Sequence, residues 1–316
     1  MVIMASGKSL QGLKIMADIS RQEILVRGKP TEFLSIGKSL NEDPKKILLI
    51  IPGNPGVVSY YREFMQHLYD GVRDTHSVWA VSHAGHSHTP SLSFWPSNQH
   101  VYDLEEQVLH KMAFIMDHVP KGAQITLIGH SIGSYIILRL LKAMEAHSEI
   151  NIEKNYLLFP TIERMKVSPN GEKLWPWLSY FRWLVIFFTV LAYILPVTVK
   201  QTILKLYFSR KEISEGSLKA TIELLHPKII QNVLWMAYNE LKYVNDADKE
   251  TVSKYKDKLV FYYGASDGWC PQLYRTELLQ KIDGLTSFLC EEGFPHAFVL
   301  SKSEGVAKKV VGWIAS

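Results

Sequence analysis

Three residues far apart in the chain have the types and settings needed for acyl transfer: Ser131 in a glycine-flanked turn, Asp267, and His296. A serine hydroxyl is a poor nucleophile at neutral pH. An enzyme that uses one needs a base in reach, a group orienting that base, and donors for the developing oxyanion. Ser131 sits in Gly129-His130-Ser131-Ile132-Gly133, preceded by the apolar run Ile125-Thr126-Leu127-Ile128 and followed by Ile136, Ile137, Leu140 and Leu141 at helical spacing. Strand, G-x-S-x-G and helix make up a nucleophile elbow, whose small flanking residues permit a turn tight enough to lift the serine above the sheet edge. At average glycine usage roughly one serine in 200 is flanked this way. The bare pentapeptide also reads as a simple Gly-Ser turn, and the strand before it and the helix after it favour the elbow.

The same arrangement expects an acid and then a histidine in chain order, each on a loop after a late strand. Leu259-Val260-Phe261-Tyr262-Tyr263 leads into Gly264-Ala265-Ser266-Asp267-Gly268, which puts Asp267 just past a strand end. Asp283 falls in a helix-to-strand connection and Asp257 precedes its strand, so both are weaker candidates. His296, in Gly293-Phe294-Pro295-His296-Ala297, is the only histidine after His226. In the expected triad Asp267 fixes the imidazole tautomer, and His296 takes the Ser131 proton and returns it to the leaving alcohol.

The backbone N–H of Ile132, at the start of a helix, is one expected oxyanion donor. The second is the Asn54 N–H in Pro52-Gly53-Asn54-Pro55-Gly56, a stretch that also reads as an ordinary Pro/Gly turn. His83, His86 and His88 are close in sequence, but their H-x-x-H-x-H spacing matches no zinc pattern and no nearby cysteine or carboxylate completes a set. Neither a metal nor an organic cofactor is expected.

The elements that must position these residues follow from the apolar pattern. Lys46 to Ile51 and Val78 to Val81 are continuous runs of the kind a strand buried on both faces needs. Weaker strand patterns lie at Ile15 to Ile19, Glu23 to Val26 and Glu32 to Ile36, and later strands at Tyr156 to Phe159, Leu259 to Tyr263 and Ser287 to Leu289. Val108, Met112, Ile115 and Met116 recur at helical spacing after Asp103, a suitable cap, and a closing helix is expected from about Phe298 to Trp313. Alternating strands and helices imply an α/β fold with a mostly parallel sheet of about eight strands. The expected organisation is one domain over 1–316, interrupted at 161–257 by an inserted helical cap.

Bulk properties exclude other classes. The 316 residues are 47% hydrophobic and 21% charged, enough to bury a large core. The net charge of +4 is spread without basic runs, which argues against nucleic-acid binding. Two cysteines, Cys270 and Cys290, make no disulfide framework and suit a reducing compartment. The first fifteen residues lack the apolar core of a secretory signal, so the cytosolic side is the expected location.

Within the insertion, Leu174 to Val199 carries Trp175, Trp177, Tyr180, Phe181, Trp183, Phe187, Phe188 and Tyr193 with Arg182 as its only charge. Its uncharged part, Trp183 to Leu195, would span about 20 Å as a helix, short of a bilayer core, and Pro196 follows. Two compatible readings remain: a cap helix over the active site, or a segment lying in a lipid surface with tryptophans at headgroup level.

From Ile47 to about His296 the chain resembles the lipid droplet-associated hydrolases, α/β-hydrolases on the cytosolic surface of neutral-lipid stores. The resemblance rests on Ile50-Ile51-Pro52-Gly53-Asn54-Pro55-Gly56, Ser82-His83-Ala84-Gly85-His86, Leu127 to Tyr135, Leu157 to Met165, Phe261-Tyr262-Tyr263-Gly264 with Trp269-Cys270-Pro271, and Pro295-His296-Ala297-Phe298. The first 45 residues and much of the insertion match loosely. The resemblance implies that Ser131, Asp267 and His296 are catalytic and that the 174–199 segment targets droplets, with Trp175, Trp177, Trp183, Phe187 and Phe188 as lipid or cap contacts. It also implies sterol esters such as cholesterol ester, or related neutral lipid esters, as substrates. The implied location is the lipid droplet and the cytosolic face of the endoplasmic reticulum.

The expected activity is therefore ester hydrolysis through an acyl-enzyme on Ser131. Thioesterase or acyltransferase chemistry would use the same triad, and a catalytically weak lipid-surface binding protein is the alternative from another class.

Overall fold

The continuous apolar runs become the middle of an eight-stranded sheet in the computed structural model, which describes residues 18–88, 95–97, 100–147, 149–209 and 213–316. The strands are β1 (Ser20–Val26), β2 (Lys29–Ile36), β3 (Lys46–Ile51), β4 (Ser77–Val81), β5 (Gln124–His130), β6 (Asn151–Leu158), β7 (Leu259–Gly264) and β8 (Thr286–Cys290). Their spatial order is β1-β2-β4-β3-β5-β6-β7-β8. Strands β3 to β8 are parallel, and β1 and β2 complete one edge antiparallel. The expected mostly parallel α/β sheet is thus the observed one.

Burial explains why the runs are continuous. Ile47 to Ile51 of β3 are entirely removed from solvent, as a strand covered on both faces must be, whereas β1 alternates exposed and half-buried residues as an edge strand does. Of the sequence-expected strands, Ile15 to Ile19 lies outside the described residues except for its last two, and β1 starts at Ser20. The Tyr156 strand begins earlier than its apolar core suggests, because Asn151 and Ile152 already pair with β5.

The helices between strands are α1 (Arg62–Val72), α2 (Leu104–His118) and α3 (Ile132–Ala143), with α10 (Gln272–Lys281) between β7 and β8 and α11 (Ser303–Ala315) closing the chain. Helix α1 packs on α11 and α2 on α3. Asp103 caps α2 as expected, accepting from the Glu106 N–H at 2.8 Å while Glu106 reaches back to the Asp103 N–H.

Between β6 and β7 the chain leaves the sheet for six α-helices among the described residues: α4 (Pro169–Tyr180), α5 (Arg182–Tyr193), α6 (Val197–Tyr207), α7 (Glu215–Leu224), α8 (Pro227–Tyr243) and α9 (Lys249–Lys254). Helices α4 and α5 meet at an angle of 80° about Phe181. Among the described residues no single helix is long and apolar enough to cross a membrane, although this bent pair together would pass on length and composition. Trp177, Trp183, Phe187 and Phe188 are all more than half exposed. Trp175 is half-buried instead, its ring stacked 5.5 Å from that of Tyr238 on α8.

Candidate active site

The sheet register brings the chemistry to one edge. Ile51 pairs with Gly129, His130 with Leu158, Leu158 with Tyr262, and Gly264 with Cys290, so the carboxyl ends of β3, β5, β6, β7 and β8 lie side by side. The loops leaving those ends carry Asn54, Ser131, Thr161, Asp267 and His296, the usual position for a site in an open parallel sheet.

The elbow has the sterics that its glycines imply. A Cβ at Gly133 would lie 2.2 Å from the Ile51 carbonyl oxygen, and one at Gly129 would lie 2.7 Å from Ile137 Cδ1. Ser131 itself is held at φ 54° and ψ −121°, a sparsely populated conformation for a side-chain-bearing residue. The Ser131 N–H donates to the Leu158 carbonyl at 2.9 Å, which ties the turn to β6. Its hydroxyl does not cap α3, and so is available for another partner.

That partner is His296. The Ser131 Oγ lies 2.8 Å from His296 Nε2, and His296 Nδ1 lies 2.6 Å from Asp267 Oδ2. Because the carboxylate accepts at Nδ1, that nitrogen carries the proton and Nε2 faces the serine as an acceptor. Three loops that sequence reasoning connected only by chain order therefore meet in one hydrogen-bonded line.

Asp267 is buried, and burial acts to raise its carboxyl. Bonds from His296, the Trp269 N–H at 2.7 Å and the Cys270 thiol at 3.1 Å act against it, and the carboxyl is held below the ordinary range. The Cys270 thiol is pushed well up by burial and by the neighbouring carboxylate, so it remains an S–H donor. Asp267, Cys270 and His296 are also, among the described residues, a group of metal-ligand types with donor atoms within 4.8 Å of one another. The three side chains are hydrogen-bonded to one another, with Asp267 Oδ2 accepting from both the Cys270 thiol and His296 Nδ1.

The two expected oxyanion donors belong to segments that adjoin Ser131. Ile132 opens α3, whose first amides have no intrahelical partner. The Pro52–Gly56 loop passes so close that a Cβ at Gly53 would lie 3.1 Å from Ser131 Cβ. The Gly53 N–H is taken by Tyr61 Oη at 2.7 Å. The Asn54 side chain donates to the Val233 carbonyl at 3.0 Å and to Glu240 Oε1 at 2.9 Å, both on α8.

His83 and His86 are fully buried beside this loop. His86 Nδ1 accepts from the Gly56 N–H at 2.9 Å, and burial drives its imidazole down to about 3, so it is a neutral brace for the loop. His88 instead faces the His226 ring at 5.4 Å. The His83 ring packs edge-on against that of His86, with centroids 5.5 Å apart.

Sequence reasoning missed several neighbours. Thr161 Oγ1 lies 3.5 Å from Ser131 Oγ, the Cys270 thiol donates to Asp267, and Tyr61 with His130 backs the Pro52–Gly56 loop. Only adjacency to the recognised motifs hinted at His130, Trp269 and Cys270; nothing local marked Tyr61. A pocket of about 140 Å³ is lined by Gly53, Pro55, Tyr61, Val299, Leu300 and His130, the residue before Ser131.

Comparison with known proteins agrees with this architecture. Among solved structures, a laboratory-evolved variant of potato epoxide hydrolase superposes with a TM-score of 0.62 at 12% identity, covering 94% of this chain and 99% of that one. A serine hydrolase involved in carbazole degradation gives 0.58 at 13% identity, with coverages of 94% and 99%. At such identities these neighbours establish the α/β-hydrolase fold and nothing finer. Closer in sequence are proteins named lipid droplet-associated hydrolase. The Gallus gallus protein is 37% identical over 91% of this chain and 92% of its own, and that of Homo sapiens is 34% identical over 94% and 95%. The Drosophila melanogaster protein is 35% identical over 88% and 92%. The model of the lipid-droplet associated hydrolase family matches residues 44–299, from β3 to the turn after His296, and by that span and these identities the chain belongs to this family.

Proposed function

We propose that the chain is a serine hydrolase that cleaves carboxylic esters of neutral lipids, with Ser131 as nucleophile, His296 as general base and acid, and Asp267 as its orienting carboxylate. The observation that carries this reading is the line Ser131 Oγ, His296 Nε2, His296 Nδ1, Asp267 Oδ2, with contacts of 2.8 and 2.6 Å. In the first step Ser131 Oγ attacks the ester carbonyl while its proton passes to His296 Nε2. The imidazolium so formed is stabilised by the ionised Asp267, and the Ile132 and Asn54 amides receive the charge on the carbonyl oxygen. Collapse breaks the ester C–O bond, and His296 returns the proton to the departing alcohol. Water then repeats the sequence on the acyl-enzyme and releases the acid.

Two features support a lipid substrate: the apolar pocket that His130 helps to line, and the exposed aromatic side of α4 and α5, with Trp183 65% exposed and Phe188 57% exposed. Singly exposed aromatics are common, but a contiguous set marks an interaction surface. We assign Trp177, Trp183, Phe187 and Phe188 to contact with a droplet surface or the cytosolic face of the endoplasmic reticulum, with the insertion 161–257 as the cap. Sterol esters are the substrates put first, triacylglycerol the next. The same exposed face favours the second reading, a lipid-surface binding protein with weak catalysis.

Labelling with a fluorophosphonate separates the two readings, since only an activated serine reacts quickly. Wild type is expected to label and Ser131→Ala and His296→Ala are not; absence of wild-type labelling favours surface binding. A panel of sterol ester, triacylglycerol and acyl thioester on droplets then ranks the substrates.

A further inference from the structure

The residue before the nucleophile makes two contacts that the reaction itself does not require. His130 Nε2 lies 2.8 Å from the backbone carbonyl oxygen of His296, and His130 Nδ1 lies 2.7 Å from Tyr61 Oη. Tyr61 Oη in turn receives the Gly53 N–H at 2.7 Å. The chemistry of the atoms fixes the direction of the whole chain. A carbonyl oxygen only accepts, so Nε2 carries the ring proton. A neutral ring then leaves Nδ1 as an acceptor, which makes the Tyr61 hydroxyl its donor, and the phenol oxygen accepts from Gly53. Every donor has one acceptor and none is left over.

The charge states agree with this direction. Burial, and secondarily the neighbouring His296, hold the His130 imidazole down to about 3, so it is neutral across the physiological range. Burial also pushes the Tyr61 phenol up, so it keeps its proton. The His130 ring packs against Phe298, with ring centroids 4.9 Å apart and planes at 68°, and against Phe159 at 6.4 Å and 87°.

The two ends of the chain lie on different loops. One is the backbone of the base, His296; the other is Gly53, next to the Asn54 amide. We propose that His130 and Tyr61 are positioning residues, and that their hydrogen-bonded chain sets the separation between the His296 loop and the oxyanion loop on either side of Ser131. The proposal rests on the hydrolase reading above. Misplacement of a reacting group by about 1 Å costs on the order of 100-fold, so a bond that fixes two loops at once has a kinetic effect out of proportion to its strength.

The test uses full-length protein, a fluorophosphonate probe and a water-soluble short-chain ester. Tyr61→Phe and His130→Ala are each expected to lower kcat and the labelling rate per folded molecule by about 10- to 100-fold, with KM changed far less. The double variant is expected to lose about as much as either single one, because both break the same chain. His130→Gln, whose amide offers an acceptor and a donor at similar separation, is expected to recover most of the rate. In wild type, imidazole ¹⁵N shifts are expected to show His130 as the Nε2–H tautomer without titration between pH 5 and 8, a measurement that needs no variant to fold. The proposal is overturned by wild-type labelling rates in the folded single variants, by additive losses in the double variant, or by an Nδ1–H or titrating His130. If wild type itself does not label, the hydrolase reading falls first and takes the positioning role with it.

Discussion

The Asn54 side chain donates to Glu240 Oε1 across 2.9 Å, so a carboxyl on α8 holds the loop that passes beside Ser131. The two residues are 186 positions apart in the chain. Glu240 is buried with a neutral partner, and burial, opposed only by the Asn54 bond, raises its carboxyl to about 8. At neutral pH it is largely the protonated acid.

That pKa has a definite consequence for stability. The folded value lies above the unfolded value of about 4.3, so the folded state binds the extra proton between the two. The contribution of Glu240 is complete below about pH 4, declines as pH rises and levels off above about 8. Glu240→Gln keeps an acceptor for Asn54 and does not titrate. Its melting temperature is expected to gain on wild type by several degrees between pH 5 and pH 9; parallel melting curves would contradict the assignment.

Asp267 has the opposite sign. Its folded carboxyl lies below the unfolded value of about 3.9, so it stabilises the fold above that pH, and the contribution is lost as pH falls through the folded value. Asp267→Asn is expected to cost about 10⁴-fold in kcat. Its stability deficit at pH 7 is expected to close in acid. Denaturant melts at pH 7 and pH 3 check the second point, and ester turnover checks the first.

Gly133→Ala tests the elbow. The new Cβ meets the Ile51 carbonyl oxygen, a backbone atom with little freedom to retreat, at 2.2 Å. A loss of about 1 to 3 kcal/mol is expected, together with slower labelling of Ser131, because β3 and α3 must separate. A variant as stable and reactive as wild type would show that the turn is looser than its geometry.

The outward aromatics give a fourth prediction. Trp183, Phe187 and Phe188 are 65%, 52% and 57% exposed, so replacing all three with serine removes little folded-state packing. Each is worth about 1.5 to 3 kcal/mol when fully buried, and partial insertion of three should shift partitioning onto neutral-lipid droplets by tenfold or more. Flotation with phospholipid-coated droplets measures this, alongside a melting temperature expected to hold. Undiminished flotation would move the lipid contact elsewhere.

Much of this protein was legible from local pattern. The runs at β3, β5 and β7 identify strands because a strand covered on both faces must be apolar at every position, and the glycines at 129 and 133 mark the elbow because nothing larger fits. Asp267 and His296 could be chosen by their places after β7 and β8, since parallel strands deliver their following loops to one edge. The aromatic insertion declared its composition but not its orientation. With aromatics spread along α4 and α5, periodicity could not say that Trp175 on α4 turns toward Tyr238 while Trp183 on α5 faces out, nor that the chain bends by 80° at Phe181.

The tertiary structure alone decided which distant polar groups meet. The bond from Asn54 to Glu240 and the His130 ring joined to both Tyr61 and the His296 backbone leave no local trace. A strand or helix is written in the spacing of its own residues, whereas the partner of a buried hydrogen bond is set by how separate elements come together, and a burial penalty that forces pairing does not name the pair.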